Sequence, residues 1–498
     1  MGKFKVLLVY PNLQMINLIP SNIAILAACL RRADVDVSLF DTTLYRTAAK
    51  SVDDIRVEHM QLRPFNLKDK GVEYKATDVF DDFIKTVDEY KPDIIGVSAT
   101  DDTYDLGIAL VEKVRNKGAH IIIGGIYPTF SPEEVINNPN VDSICIGEGE
   151  DAFVELCSKL KSNEDITKIK NLWVKTDDKI YRNSIRPTIN VSNVPFEDFS
   201  IFEDKRFYRP MQGQIYRMIP VTIDRGCPHN CSYCAAPFLR RLYRAFGHCD
   251  YFRIKGLSQI IDELKYHIEK YKADYIYFNS ESFFSGKGND LIKDFCREYV
   301  NNIGLPFWCQ TRIETINYEK IKLLEDMNCD RISIGLEHGN EEFRKKILKK
   351  NFTNEQAIAA FKILEKSKIP VTVNNIIGFP DETRDLVFDT IRLNRRIKTD
   401  SINAYFFVPY RGTPLRQYCI EKGYIKPDAR TDSLMRRSIL NMPNFSSDQI
   451  KGLVRTFPLY IKMPESYFND IKVAEQLNEE GDKMLAILRE IYFREYFN

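Results

Sequence analysis

Apolar and polar positions along this chain alternate between a strand period and a helix period. Lys5–Val9, apolar from Val6 onward, reads as a buried strand, and Ser21–Arg32 repeats at helical spacing with Ser21 as its expected N-cap. Val35–Phe40 reads as a second strand, and the polar stretch Thr42–Thr77 shows no clear period. A helix over Val79–Tyr90, a strand at Ile94–Ser98, a helix over Leu106–Asn116 and strands at Ile121–Ile123 and Ser143–Ile146 follow. Strands alternating with helices predict a parallel, doubly wound Rossmann-like α/β sheet, which binds ligands at the carboxyl ends of its strands. Those ends carry Pro11, Asn12, Ser98, Ala99, Thr100, Gly124, Gly125, Tyr127 and Gly147.

Asn171–Arg182 alternates around Asp177-Asp178 and reads as a hairpin, and Pro187–Pro195 is an extended linker. The strand–helix alternation then resumes, with strands at 218–223, 274–279, 306–311, 331–336, 370–377 and 401–408. Helices fall at 258–270, 289–301, 318–326, near 341–349, 354–367 and 383–397. Six such units are too few for a closed eight-stranded barrel and predict a (β/α)6 partial barrel, with function at the carboxyl ends of its strands. Helices over Ser447–Tyr460 and Ile471–Phe497, separated at Pro464, complete the chain. The expected organisation is a sheet domain over 1–165, hairpin and linker over 166–200, the partial barrel over 201–420 and a small helical domain over 421–498.

The 498 residues are 44% hydrophobic and 28% charged with a net charge of +1, which is ordinary globular composition and no field for a polyanion. No apolar run approaches the ~20 residues of a membrane span. Met1–Lys5 leads straight into the first strand without the layout of a signal peptide. Eleven cysteines at irregular spacing suit a reduced cytoplasm rather than a disulfide framework.

The distinctive chemistry is Asp224-Arg225-Gly226-Cys227-Pro228-His229-Asn230-Cys231-Ser232-Tyr233-Cys234, on the loop leaving a buried strand. Three thiolates so spaced can grip three irons of a cubic iron–sulfur cluster and leave the fourth iron open. A structural zinc site wants a fourth ligand, and an electron-transfer cube wants a fourth cysteine, for which Cys249 is the nearby candidate; three unrelated thiols are the remaining reading. Cys145, Cys157, Cys296, Cys309, Cys329 and Cys419 read as small core residues, and His229 and Asn230 as local caps.

The C-x3-C-x2-C loop resembles the radical S-adenosylmethionine (SAM) superfamily. The resemblance implies a [4Fe–4S] cluster on Cys227, Cys231 and Cys234 whose open iron binds SAM, and an external reductant such as flavodoxin or ferredoxin. It also implies SAM contacts at successive strand ends. Tyr233 would lie along the adenine, and Asn279, Ser280 and Glu281 stand where the family often has G-G-E for the amino group. Arg312 would meet a carboxylate, and Glu337, in Gly335-Leu336-Glu337-His338-Gly339, the ribose hydroxyls. Asn374, Ile376 and Gly378 match G-x-I-x-G-x-x-E around the adenine, with Asn374 and Asp381 as departures, and Pro409–Leu415 matches P-x-x-G-T-P-L.

The first third resembles the cobalamin-binding domain found ahead of many radical SAM domains. The similarity lies in K-V-L-L-V-Y-P-N, G-V-S-A-T at 96–100, G-G-I-Y-P-T at 124–129 and I-G-E-G-E at 146–150. It implies cobalamin contacts at the nine strand-end residues above and at Glu148. No histidine has aspartate two positions before it, so the Asp-x-His axial ligand of many cobalamin proteins is absent. Gly147-Glu148-Gly149-Glu150-Asp151-Ala152 fits the dinucleotide pattern, but it follows a late strand and sets three carboxylates where a pyrophosphate would lie.

Together the two resemblances imply a cobalamin-dependent radical SAM methyltransferase that methylates an unactivated carbon through methylcobalamin and a 5′-deoxyadenosyl radical. The alternatives are a cyclase, oxidase or rearrangement enzyme with the same cofactors, a first sheet serving another ligand, or a redox sensor that needs no SAM. Methylthiolation finds only Cys29, Cys145 and Cys157 in the first third to hold a second cluster. The basic run Arg240-Arg241-Leu242-Tyr243-Arg244 is too short and local to argue for RNA, which leaves small molecule, lipid or peptide as the substrate.

Overall fold

The computed structural model describes residues 3–177 and 179–496. They form two compact units. The first comprises the chain up to Ser51, Asn66–Gly226 and Phe238–Ala273; the second comprises Val52–Phe65, Cys227–Pro237 and the chain from Asp274.

The first unit is built on β1 (Lys5–Tyr10), β2 (Asp36–Asp41), β3 (Ile94–Ser98), β4 (His120–Gly124), β5 (Ser143–Cys145), β6 (Leu172–Lys175) and β7 (Ile180–Arg182), ordered β2-β1-β3-β4-β5-β6-β7. The first five pair in parallel, as the unbroken apolar runs require of strands buried on both faces. Leu7, Val9, Ile95, Val97, Ile121, Ile123 and Ile144 fill the core. The order reverses direction between β1 and β3, the switch point at which such sheets bind ligands. Helix Val79–Tyr90 begins where Asp78 accepts from the backbone N–H groups of Phe80 and Asp81 at 2.8 and 3.2 Å. Ser21 is not the N-cap expected of it: helix Ser21–Arg32 is preceded by Pro20 and carries no side-chain cap.

The predicted hairpin forms, and β6 pairs antiparallel with β5, so it is the edge of the first sheet as well as a connection. Asp178, the second residue of its expected turn, lies outside the described residues, as do Met1, Gly2 and Phe497. Helices Ile126–Phe130, Pro132–Ile136 and Glu150–Lys161 were not marked by periodicity. The unit also contains the antiparallel pair β8 (Tyr208–Met211) and β9 (Gln214–Thr222), the latter being the strand expected at 218–223. Two short strands, β10 (Asp224–Arg225) and β11 (Arg253–Ile254), pair antiparallel.

Four buried charged groups meet in this unit. Lys255 Nζ lies 2.6 Å from Glu263 Oε2 and 3.7 Å from Glu197 Oε1, while His267 Nε2 faces the other oxygen of each carboxylate at 3.6 and 3.7 Å. Each carboxylate thus bridges an ammonium and an imidazole, tying the linker residue Glu197 to helix Leu257–Tyr271.

The second unit carries β12 (Tyr275–Asn279), β13 (Phe307–Arg312), β14 (Cys329–Glu337), β15 (Val371–Ile377) and β16 (Ser401–Phe406), parallel neighbours in chain order with helices between them. With β9, all six strands expected of the half-barrel occur. The helix expected near 341–349 opens as Glu341–Phe343 and continues as a wider turn over Arg344–Leu348. At the C-terminus, Ser447–Lys462 starts with a Ser446/Gln449 capping box. The single helix expected from Ile471 is two, Phe468–Ala474 and Glu479–Glu495. Arg455 accounts for the break: it donates to the carbonyls of Ala474 and Gln476 at 2.8 and 2.7 Å, and Asn478 restarts the helix by capping Gly481 N–H. Among the described residues, no helix is long and apolar enough to cross a membrane.

Candidate active site

In the second unit the three cysteines lie on a loop held from both sides. Ser232 donates from Oγ to the Ile347 carbonyl at 2.5 Å and from its backbone N–H to the Leu348 carbonyl at 3.1 Å. Its own carbonyl accepts from Leu415 N–H, at the end of the P-x-x-G-T-P-L stretch, at 3.4 Å. His229 Nε2 lies 2.8 Å from Ser285 Oγ, a contact across the unit rather than the local cap expected of it. Cys231 is buried, and Cys227 and Cys234 are half-buried.

Burial pushes the Cys227 and Cys234 thiols up, Cys234 to about 12, and each also feels Glu281 and Cys231. Three convergent, partly desolvated thiols gain most from a bound cation, since a coordinated thiol loses its proton outright. Arg312 Nη1 lies 3.1 Å from Cys231 Sγ and adds positive charge at the same point. The donor set fits a cluster on three cysteines.

The strand ends bring the expected SAM residues to this loop in part. Tyr233 meets Phe379 edge-on with ring centroids 5.9 Å apart, which sets it beside the end of β15. Ser280 is buried and its carbonyl accepts from Gln310 Nε2, whereas Glu281 is exposed and Asn279 half-buried. Glu337 ends β14 at φ +66°, past a register shift, and its Oε1 lies 3.1 Å from Lys350 Nζ. Lys350 also donates to the Gly335 carbonyl at 2.8 Å. A Cβ at Gly335 would sit 2.1 Å from Glu337 Oε1, so the glycine makes room for the carboxylate two positions on.

Asn374 Oδ1 accepts from Asn403 Nδ2 at 2.9 Å, and Ile376 is half-buried on the same face. Gly378, at φ +90°, is held by Glu382, whose Oε2 accepts from Gly378 and Phe379 N–H at 2.5 and 3.1 Å. Asp381, the acidic position matched to the motif, instead accepts from the hydroxyls of Tyr418 and Tyr424. His338 Nε2 lies 3.0 Å from Glu382 Oε1, and its Nδ1 accepts from Asn340 N–H, which leaves the ring proton on Nε2.

In the first unit, Pro11 and Asn12 follow β1, Ser98, Ala99 and Thr100 end and follow β3, and Gly124, Gly125 and Tyr127 end and follow β4. Several have internal partners. Asn12 Nδ2 donates to Ile16 O and Thr43 Oγ1, Ser98 Oγ accepts from Asn22, and Thr100 Oγ1 pairs with Asp102. Tyr127 is buried, its ring centroid 4.6 Å from that of Tyr104. Gly125, at φ +101°, brings the chain against Ala99, where a Cβ would meet the carbonyl at 2.6 Å. A Cβ at Gly124 would meet only Cys145 Cβ, at an ordinary contact distance of 3.8 Å, so this position is less tightly packed than Gly125.

Gly147, at φ +77°, approaches Tyr243, whose hydroxyl accepts from Glu148 N–H at 2.9 Å. The Glu148 carboxylate is engaged by Arg253 at 2.6 and 3.0 Å, by Ile189 N–H and, more distantly, by Arg225. The basic, aromatic stretch around Tyr243 and Arg253 thus holds the Gly147 loop. The loop that follows β1, Pro11 to Pro20, contains no histidine, and His120 is paired with Ser143. The donors near the switch point are hydroxyls, amides and backbone groups, which suits a corrin held by its periphery rather than by an imidazole on the metal.

Comparison with known proteins matches residues 221–393 to the radical SAM superfamily and residues 17–157 to the B12 binding domain. The chain belongs to the B12-binding radical SAM family. It is 27% identical over 383 residues to an uncharacterized methyltransferase of Pyrococcus horikoshii, covering 76% of this chain and 80% of that one. It is also 24% identical over 426 residues to the anaerobic magnesium-protoporphyrin IX monomethyl ester cyclase of Cereibacter sphaeroides, covering 79% and 66%. Among solved structures, the cobalamin-dependent SAM radical enzyme OxsB, with aqua-cobalamin and SAM bound, aligns with a TM-score of 0.66 at 18% identity over 98% of this chain and 71% of that one. The B12-binding radical SAM family implies a [4Fe–4S] cluster, SAM and cobalamin as cofactors.

Sequence reasoning did not single out Lys350, Ser232 or Glu382 as members of the site. Each acts across a distance in sequence or beside a motif position, where periodicity gives no signal.

Proposed function

We propose that this cobalamin-dependent radical SAM enzyme is a methyltransferase acting on an unactivated carbon. The observation that carries the reading is the pairing, in one chain, of a B12-binding domain with a radical SAM domain, in a protein most of whose length aligns with a methyltransferase. When bound, SAM and the reduced cluster supply a 5′-deoxyadenosyl radical, and cobalamin carries the methyl group.

In this reading Cys227, Cys231 and Cys234 hold the cluster. Arg312 places positive charge at the Cys231 thiolate and at the SAM carboxylate. Glu337, steadied by Lys350, accepts from the ribose hydroxyls, and Tyr233, Asn374, Ile376 and Gly378 surround the adenine. Asn279, Ser280 and Glu281 receive the amino group. At the first sheet, the chain following β1, β3, β4 and β5, from Pro11 to Glu148, cradles the corrin. The protein's own task is to orient these groups and exclude water from them.

The test is anaerobic. Reconstituted enzyme is given SAM deuterated at its methyl group and a metabolite extract from a strain lacking the gene. A labelled product one methylene group heavier than its precursor supports methyl transfer. Formation of 5′-deoxyadenosine with an unlabelled, ring-closed or oxidised product contradicts it and favours the chemistry of the cyclase relative.

A further inference from the structure

Val52–Phe65 interrupts the first unit in sequence but belongs to the second. Its anchor is Gln61, which is fully buried. Gln61 Nε2 donates to the Ala404 carbonyl at 3.2 Å and Gln61 Oε1 accepts from Ala404 N–H at 3.1 Å. Both backbone groups of one residue on β16 are thereby satisfied, as a neighbouring strand would satisfy them. β16 ends its sheet, so the segment covers an edge that would otherwise present unpaired backbone groups. Met60, at φ +57°, is buried in the same core as Ala404 and Phe406.

Five residues before Gln61, on helix Val52–Glu58, stands Arg56. Its Nη1 donates to Asp53 Oδ1 at 3.2 Å, and its Nε is buried without a hydrogen-bond partner. Burial works against its charge, but the Asp53 carboxylate beside it keeps the guanidinium protonated, and Tyr405 lies close enough to interact with it electrostatically. Tyr405 adjoins the anchored Ala404 and pairs in register with Ile376. The Asn403–Asn374 hydrogen bond shows which side chains of these two strands share a face, and alternation puts Tyr405 and Ile376 on it. Tyr405 also feels the field of Glu337. Arg56 therefore stands beside the face assigned above to SAM. A planar guanidinium with one edge on a carboxylate and a buried N–H left over matches a carboxylate or phosphate approaching that second edge.

We infer that Arg56, with the Tyr405 hydroxyl beside it, binds an anionic group, carboxylate or phosphate, of the substrate. The inference rests on the reading of this face as the reaction chamber. The carboxylate of SAM offers the same chemistry, so the test has an arm for each source.

Full-length protein reconstituted with cluster and cobalamin is titrated calorimetrically with inorganic pyrophosphate, succinate and SAM at constant ionic strength, as wild type, Arg56→Gln and Arg56→Lys. The wild type is expected to bind pyrophosphate or succinate saturably. Arg56→Gln should weaken this about tenfold or more, and Arg56→Lys by less because it keeps charge but not the planar fork. SAM affinity should stay within about twofold in both variants. Should Arg56→Gln fail to load cofactors, the wild type against Arg56→Lys carries the comparison. Anion binding that is absent from the wild type, or unaffected by either variant, overturns the inference, and so does a parallel loss of SAM affinity. Cleavage of SAM to 5′-deoxyadenosine without substrate reads the enzyme class separately, so that reading survives if only the anion arm fails.

Discussion

Arg312 reaches Cys231 Sγ with Nη1 at 3.1 Å while its Nη2 holds Glu314 at 2.5 Å. The carboxylate fixes the guanidinium, and the guanidinium is aimed at one cluster thiolate. An N–H donor to a cluster sulfur favours the electron-rich, reduced form and raises its potential. Arg312→Gln should lower the midpoint potential of the reconstituted cluster by about 60 mV, taking ~1.5 kcal/mol for a charged hydrogen bond and one electron. Redox titration followed by electron paramagnetic resonance measures it. An unchanged potential would assign Arg312 to SAM alone.

Lys350 and Glu337 form an ion pair with little solvent access. Removing the cation leaves a buried carboxylate uncompensated, so Lys350→Met should destabilise the protein by roughly 3 kcal/mol. Glu337→Gln in the same chain should recover much of that loss without restoring SAM affinity. Urea denaturation and SAM titration of the two single variants and the double variant separate the structural contribution from the binding one.

Much of this architecture was legible from periodicity. Helices Val79–Tyr90 and Tyr318–Asp326 and strand Ile94–Ser98 occur within the spans expected of them, because amphipathic spacing and local caps coincide there. The cysteine loop was legible because its three thiols are neighbours in sequence. Gln61, Lys350 and Arg455 were not, because each satisfies backbone or charge in a distant segment and leaves no local period. Ser21 misled because a serine before an apolar run is a cap only if the backbone turns there, and Pro20 takes that position instead. The part Glu382 plays was not legible either: with Gly378 at positive φ, it is this residue, next to the motif position Asp381, that reaches the Gly378 N–H.

Gly147 offers a local test of the first unit. A Cβ there would lie 2.6 Å from the Tyr243 hydroxyl, on a backbone at φ +77°. Gly147→Ala should cost ~2–3 kcal/mol from clash and backbone strain together. Adding Tyr243→Phe should relieve the clash but not the strain, and it also leaves Glu148 N–H without its acceptor. The double variant should therefore regain less than half of the loss in thermal denaturation.

The cluster of Glu197, Lys255, Glu263 and His267 makes stability depend on pH. Burial and the neighbouring Glu197 carboxylate raise Glu263 to about 7 from its ordinary 4.5. His267 is also raised above its ordinary 6.5, since the two carboxylates outweigh burial. Groups raised by folding contribute fully below their unfolded values and lose that contribution as pH rises through the folded ones. Glu197 runs the other way: despite burial, Lys255 and His267 hold it well below the carboxylate range, and its contribution is lost in acid. Between about pH 4.5 and about pH 7 the Glu263 contribution should fall by on the order of 3 kcal/mol. Glu263→Gln should flatten that part of the profile, as read from urea midpoints at both ends, and an unchanged slope would place the dependence elsewhere.

The central claim is that three cysteines hold a cluster whose remaining iron is open to SAM. The direct measurement is anaerobic reconstitution of the full chain with iron and sulfide, reduction, addition of SAM, and quantification of 5′-deoxyadenosine and methionine. The account predicts about four irons per chain and both products in comparable amounts, with both lost in Cys231→Ala. A cluster carrying a fourth protein thiolate, with SAM recovered intact after reduction, would contradict it.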